Sequence, residues 1–198
     1  MLILLMDVLV DVMPVTVGAR VRLEGCGSVA ARAPQRGPAP IPWSVPIEIR
    51  RAPVADCDPV LLYRLLRLRV QVFVVEQGAA YDELDGRDIE PGAELMWVDE
   101  DGEPLATLRL LRESAADGSP VLRIGRVATS AAARGRGVAS DLMRAAVARC
   151  EELAPGAPIL LGAQAHLADW YARFGFAVAG DPYTEDDIPH LPMARSGG

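Results

Sequence analysis

Five prolines, at positions 34, 38, 40, 42 and 46, divide this chain. Proline fixes φ and lacks an N–H, so neither a helix interior nor a central strand crosses such a stretch. Residues 1–45 therefore read as a low-order extension rich in Pro, Ala and Arg, and residues 46–198 as the folding unit. A unit of about 150 residues can bury a core of its own. The opening MLILLMDVLV is apolar, but Asp7 and Asp11 break it and no positive charge leads it. It is too short to span a bilayer and a poor signal peptide, so the expectation is a cytoplasmic protein with no membrane partner.

The formal net charge is -7. A main partner of nucleic acid needs a basic face, so this charge argues against one and no nucleic-acid partner is expected, while cationic small molecules and basic peptides remain. All 20 basic residues are arginine. Without lysine, no self-acylated lysine or Schiff base is available. Cys26, Cys57 and Cys150 lie far apart and form no metal-ligand spacing with His166 and His190, so structural thiols and no metal are expected.

From position 46 onward, strand and helix patterns alternate. Pro46-Ile47-Glu48-Ile49-Arg50 alternates apolar and polar, as a half-buried strand does. Asp58-Pro59 supplies a cap and a first-turn proline. Leu61, Leu62, Leu65, Leu66, Leu68, Val72 and Phe73 follow at helical spacing and predict a helix over about 59–74. The acidic stretch 78–92 reads as a loop. Strands are expected at 94–98, 105–111 and 121–129, with turns at 99–102 and 115–120. Val138, Leu142, Ala146 and Cys150 recur at i, i+4 after a glycine-rich break, predicting a helix to about Leu153 that Pro155-Gly156 stops. A buried strand at 159–163, a short helix at 167–174 and a strand pair near 176–179 and 190–195 complete the pattern. The fold class is α/β (α+β), with a mixed, mostly antiparallel central sheet flanked by helices.

Arg134-Gly135-Arg136-Gly137-Val138-Ala139 falls between a strand and a helix. A helix start presents unpaired amides and the positive end of its dipole, which together form an anion site. Glycines permit φ > 0 and let those amides close around a diphosphate, and arginines add charged donors. On these residues alone, a phosphate site, an arginine-glycine nucleic-acid patch and a plain loop all stay open. The motif is neither a Walker loop nor the dinucleotide fingerprint.

Arg134-x-x-Gly137-x-Ala139 resembles the Gln/Arg-x-x-Gly-x-Gly/Ala motif of the GNAT superfamily of acetyltransferases. Trp170-Tyr171-Ala172-Arg173-Phe174-Gly175-Phe176 resembles that superfamily's Tyr-x-x-x-Gly-Phe motif. Further stretches are similar to its ElaA-like branch: Val72-Phe73-Val74-Val75-Glu76-Gln77, Tyr81-Asp82, Leu84-Asp85-Gly86-Arg87-Asp88, Ile124-Gly125-Arg126-Val127, Leu161 to His166, and Ile188-Pro189-His190. The resemblance spans about 45–196. One departure stands out: the branch carries Glu-Asp-Gly before Ile-Pro-His, and this chain has Glu185-Asp186-Asp187.

The resemblance implies a GNAT fold and an N-acyltransferase that uses acetyl-CoA or another acyl-CoA as co-substrate. It implies that the backbone from Arg134 through Gly135, Arg136, Gly137 and Val138 to Ala139 binds the diphosphate. Val127, Ala128 and Thr129 would pair with the pantetheine arm like a strand, and one of their amides would polarise the acyl carbonyl. Tyr171 takes the place of the tyrosine that protonates the departing thiolate; a phenol of pKa about 10 can hydrogen-bond to and re-protonate a thiolate of pKa about 8.5. The alternative for Tyr171 is a packed core aromatic.

An amine must lose a proton before attack. Glu76, after an apolar run, and His190, which titrates near neutrality, are the candidate bases, with a water relay as a third option. Each also reads as plain structure. His166 is expected to cap or orient the helix ahead of Tyr171. The acidic groups Asp82-Glu83-Asp85-Asp88 and Glu185-Asp186-Asp187 read as solvated faces, or as an attractor for a cationic amine if they flank the cleft. A non-catalytic acyl-CoA sensor, an acyl-homoserine-lactone-synthase-like enzyme and an RNA binder are the competing readings, and a homodimer is left open.

Overall fold

The computed structural model describes residues 48–197. The expected extension at 1–45, Cys26 and the start of the strand expected at 46–50 lie outside the described residues. The first strand, β1, runs Ile49–Ala52. Helix α1 (Pro59–Val70) begins as its sequence dictates, with the Asp58 carboxylate accepting from the Val60 and Leu61 amides at 3.0 Å each. The spacing predicts helix to about 74, but α winding stops at Val70 and a wider π turn covers Gln71–Glu76. Four valines lie between 70 and 75, and branching at Cβ weakens the α winding there.

Strands β2 (Glu94–Glu100), β3 (Glu103–Ser114) and β4 (Pro120–Thr129) form an antiparallel meander. Asp101 and Gly102, with φ of 51° and 78°, make the two-residue turn between β2 and β3. Helix α2 (Val138–Leu153) then crosses to β5 (Ile159–Gln164), which runs parallel to β4. After the short α3 (Ala168–Ala172) come β6 (Ala177–Val178), β7 (Tyr183–Glu185) and β8 (Ile188–Arg195). The sheet order is β1-β2-β3-β4-β5-β8-β6, with β7 also pairing with β8. The short β7 is the one described strand with no counterpart in the sequence reading.

Alternation along β2 assigns the two helices to opposite faces. Met96 and Val98 join the large core that holds Val138, Leu142, Ala146 and Cys150 of α2. Leu95 and Trp97 turn the other way, onto Leu61, Leu62 and Leu65 of α1. The i, i+4 stripe of α2 is thus its buried face, and it fixes the helix start at the end of β4.

Candidate active site

β4 and β5 pair only at Leu122↔Ile159 and Arg123↔Leu160. Beyond those rungs the strands part, and the sheet opens between 124–129 and 161–164. On its other edge β4 stays paired with β3 as far as Ala106↔Thr129. One irregularity interrupts that ladder: Arg126 and Val127 together face the single residue Leu108, with Arg109↔Gly125 and Thr107↔Ala128 on either side. This is a bulge, which bends a strand and re-aims its backbone groups. Arg126 sits in it with φ of 55°, a left-handed value that costs a non-glycine residue about 1–2 kcal/mol.

The phosphate-loop candidate follows directly. Gly135 (φ 75°) and Gly137 (φ 81°) turn the chain left-handed into α2, and a Cβ at either would meet nothing within 4 Å. The first helical bond runs from the Asp141 amide to the Gly137 carbonyl at 3.1 Å. The amides of Val138, Ala139 and Ser140 precede it and face out of the helix end. Arg134 donates from Nη2 to Glu76 Oε2 at 2.5 Å and to the Thr129 carbonyl at 3.2 Å. Arg136 reaches Glu100 Oε1 at 3.4 Å. Nearby in the chain, both amide atoms of Gln77, Thr129 Oγ1 and Ser130 Oγ are buried with no hydrogen-bond partner among the described residues. Buried polar atoms of this kind are costly unless something satisfies them.

The contacts therefore join three predicted site residues, Glu76, Arg134 and Thr129. Tyr171 and His190 are held on other elements. Tyr171, on α3, is 0% exposed and meets the ring edges of Trp170 and Phe176 at centroid distances of 4.8 and 6.2 Å. His190, on β8, faces Gln164 of β5 and Tyr183 of β7 and stacks on the Tyr183 ring at 5.4 Å. His190 Nδ1 lies 2.8 Å from the Ile188 carbonyl. A carbonyl only accepts, so Nδ1 carries the proton and Nε2 the lone pair. Burial pushes the His190 pKa below its usual value of 6.5, outweighing the Ile188 bond that raises it. The ring is neutral at pH 7.

A pH dependence follows. A histidine depressed in the folded state takes up its proton first in the unfolded chain, so its stabilisation is complete above about pH 6.5 and is lost as pH falls toward the folded value. The urea midpoint of the wild type is expected to drop below about pH 6.5 more steeply than that of His190→Gln. Parallel curves would remove this account of His190.

The departure at 185–187 leaves the turn intact. Asp186 (φ 45°) and Asp187 (φ 64°) form the two-residue connection between β7 and β8, and aspartate tolerates left-handed backbone better than most residues. His166 is exposed in the turn Ala165–Leu167, and Leu167 holds the α3 cap position, so the capping role expected of His166 does not arise. Burial pushes the Cys150 thiol up to about 12, which rules it out as a nucleophile at neutral pH.

The acidic loop departs most from expectation. Glu83, Asp85 and Asp88 are neither a solvated face nor an open attractor, because three buried arginines face them. Arg69 meets Glu83 at 2.5 Å and Asp88 at 2.6 Å. Arg126 Nε lies 2.7 Å from Glu83, and its Nη2 lies 3.0 Å from Asp85. Arg109 binds Asp85 through two bonds, at 2.7 and 3.0 Å. The Tyr81 hydroxyl donates to Glu83. Burial raises the Asp85 carboxyl, but the Arg109 bonds and charge prevail and leave it at about 2. The sequence marks Arg126 only within a stretch similar to the ElaA-like branch, and it gives none of the three arginines this role. The signal for Arg69 is its place on the apolar stripe, four residues after Leu65 and four before Phe73. Such a position buries a charge and demands partners.

A mixed sheet that opens between two parallel strands, with a glycine-turned helix start at the opening, is the GNAT acyl-CoA N-acyltransferase fold. Residues 64–196 match the family model for the acetyltransferase (GNAT) domain. The chain belongs to this family, in its ElaA-like branch. It is 45% identical over 150 residues to a UPF0039 protein of Mycobacterium tuberculosis, covering 75% of this chain and 93% of that one. It is 43% identical to the protein ElaA of Escherichia coli, over 68% of this chain and 86% of that one. Among solved structures, an acyl-CoA N-acyltransferase from Pseudomonas aeruginosa superposes with a TM-score of 0.69 at 43% identity, covering 75% of this chain and 99% of that one. The E. coli ElaA structure gives 0.69 at 38% identity, over the same shares of 75% and 99%.

The family binds acyl-CoA and transfers acyl groups to amines, and the fold and domain here support that chemistry in general. The residues present fit such a co-substrate: open space over both loop glycines, outward amides, and buried polar atoms awaiting partners. Among the described residues, no group of His, Cys, Asp and Glu is placed to hold a metal ion. Among them too, no helix is long and apolar enough to cross a membrane.

Proposed function

We propose that this chain transfers an acetyl or other acyl group from acyl-CoA to an amine of a small molecule or peptide, by direct attack in a ternary complex. The observation that carries this reading is the divergence of β4 from β5 after two rungs, directly ahead of the phosphate loop. Bound there, the thioester supplies an activated acyl group and a thiolate leaving group. Arg134, Gly135, Arg136, Gly137, Val138 and Ala139 hold the diphosphate. Val127, Ala128 and Thr129 present strand-like edges to the pantetheine arm, and a backbone amide among them polarises the acyl carbonyl. The orphaned Thr129 hydroxyl and Gln77 amide are further partners for that arm.

His190 Nε2, with its lone pair and neutral ring, accepts the amine proton in this reading, and Glu76 is the second candidate. Tyr171 donates its phenolic proton to the thiolate. Positioning of the two substrates contributes most of the acceleration. The acceptor is taken as cationic on the net charge of -7, without help from the paired loop carboxylates. Cys57 and Cys150 are free thiols, in keeping with a cytoplasmic setting.

Thiol release from acetyl-CoA against amines, peptides, polyamines and aminoglycosides tests the reading. Coenzyme binding with no thiol release on any acceptor would instead favour a sensor module. Tyr171→Phe is expected to lower turnover about 10²-fold while coenzyme affinity stays within about twofold. Full turnover in that variant removes the acid role.

A further inference from the structure

We infer that Glu76 and the diphosphate of the coenzyme are alternative partners of Arg134, so that coenzyme binding uncovers the Glu76 carboxylate at the cleft. The inference rests on the reading above and deepens it. Arg134 opens the glycine loop, three residues ahead of the left-handed Gly137. Its guanidinium turns back to two places at once, the Thr129 carbonyl that ends β4 and the Glu76 carboxylate that ends the π turn. A single side chain thus spans from the phosphate loop to the elements on either side of it.

The pair is built to exchange. Its side chains are 28% and 26% exposed, whereas those of the Arg69–Glu83 pair are 1% and 2% exposed. An ion pair reached by water is worth little and gives way to a better anion. A diphosphate carries more charge than one carboxylate and offers several oxygens to a guanidinium fork. The second arginine of the loop follows the same rule, since Arg136 faces Glu100. Both cations of the loop already have protein carboxylates beside them, so an arriving anion replaces one rather than filling an open charge.

The exchange has a chemical result. While Arg134 holds Glu76, that carboxylate is committed to a cation. Once Arg134 turns to the diphosphate, Glu76 stands uncommitted one residue before Gln77, whose amide is buried without a partner. Glu76 is then available as a proton acceptor only in the coenzyme complex, so where Glu76 rather than His190 takes the amine proton, coenzyme binds first and amine second.

Calorimetry with the full chain and coenzyme A tests this without knowledge of the acceptor. Glu76→Gln removes the competitor and is expected to tighten binding about two- to fivefold, the range of a partly exposed ion pair. Arg134→Gln is expected to weaken binding. In the Arg134→Gln background, Glu76→Gln is expected to change affinity less than about 1.5-fold, because the two residues act through one contact. Arg134→Lys, which keeps the charge, is expected to restore the response. Unchanged or weaker binding in Glu76→Gln overturns the inference, as does a tightening that survives loss of Arg134. A wild-type chain that gives no heat with coenzyme A overturns the acyltransferase reading itself, which is a different result.

Discussion

Gly137→Glu is expected to weaken coenzyme A binding about 10³-fold while the fold survives. At the Gly137 position a Cβ meets nothing within 4 Å, so the new side chain has room. Its backbone does carry strain, because φ is 81° and a left-handed residue with a Cβ costs about 1–2 kcal/mol. The larger effect is electrostatic. A carboxylate about 4 Å from a phosphate charge is repelled by about 4 kcal/mol near a protein surface, which corresponds to about 10³ in affinity. Gly137→Ala shares the strain and lacks the charge, so it is expected to lose no more than about tenfold. Calorimetry on both variants, with thermal melting to verify folding, separates the terms. If the glutamate variant binds as well as the alanine variant, the diphosphate lies elsewhere.

Glu83→Ala is expected to destabilise the chain by about 3–5 kcal/mol, a large part of the 5–15 kcal/mol typical of a domain. Glu83 receives charge from both Arg69 and Arg126 and a hydroxyl donor from Tyr81, all away from water. Removing it leaves two guanidiniums short of their anion, and an unpaired buried charge is the expensive case. Arg126 also lies in the bulge of β4, so loss of its partner also loosens a left-handed residue inside the strand. Urea unfolding measures the effect, and a change below about 1 kcal/mol would show that the cluster relaxes at little cost. Acid probes the same cluster from another side. The Asp85 carboxyl is depressed to about 2, so its contribution is complete above the ordinary aspartate value of about 3.9 and is lost as pH falls toward 2.

Local signals carried most of the architecture. Asp58-Pro59 announced a capped helix, Asp99-Glu100-Asp101-Gly102 a turn between strands, and the spacing 138, 142, 146, 150 the buried face of α2. Each of these depends on residues within a turn or two of one another. The glycine-turned start of α2, the proposed phosphate loop, was legible for the same reason, since its glycines, arginines and helix start are contiguous.

The fate of the acidic loop was hidden because its three cations come from α1, β3 and β4 and meet it only after folding. The Arg134–Glu76 pair joins residues 58 apart and was equally invisible. The π turn escaped notice because apolar spacing does not distinguish i+4 from i+5 winding over one turn. β7 is three residues long and owes its strand character to β8, not to its own composition.

A sheet stitched across its middle by two rungs behaves mechanically as two plates sharing a short seam. Strain introduced on the meander side has few hydrogen bonds through which to reach the β8 side. Substitutions across the seam that lie outside the shared core under α2 should therefore add in free energy, as independent sites do. A molecule lying along the gap and bonding to both margins would end that independence and make the plates answer to each other.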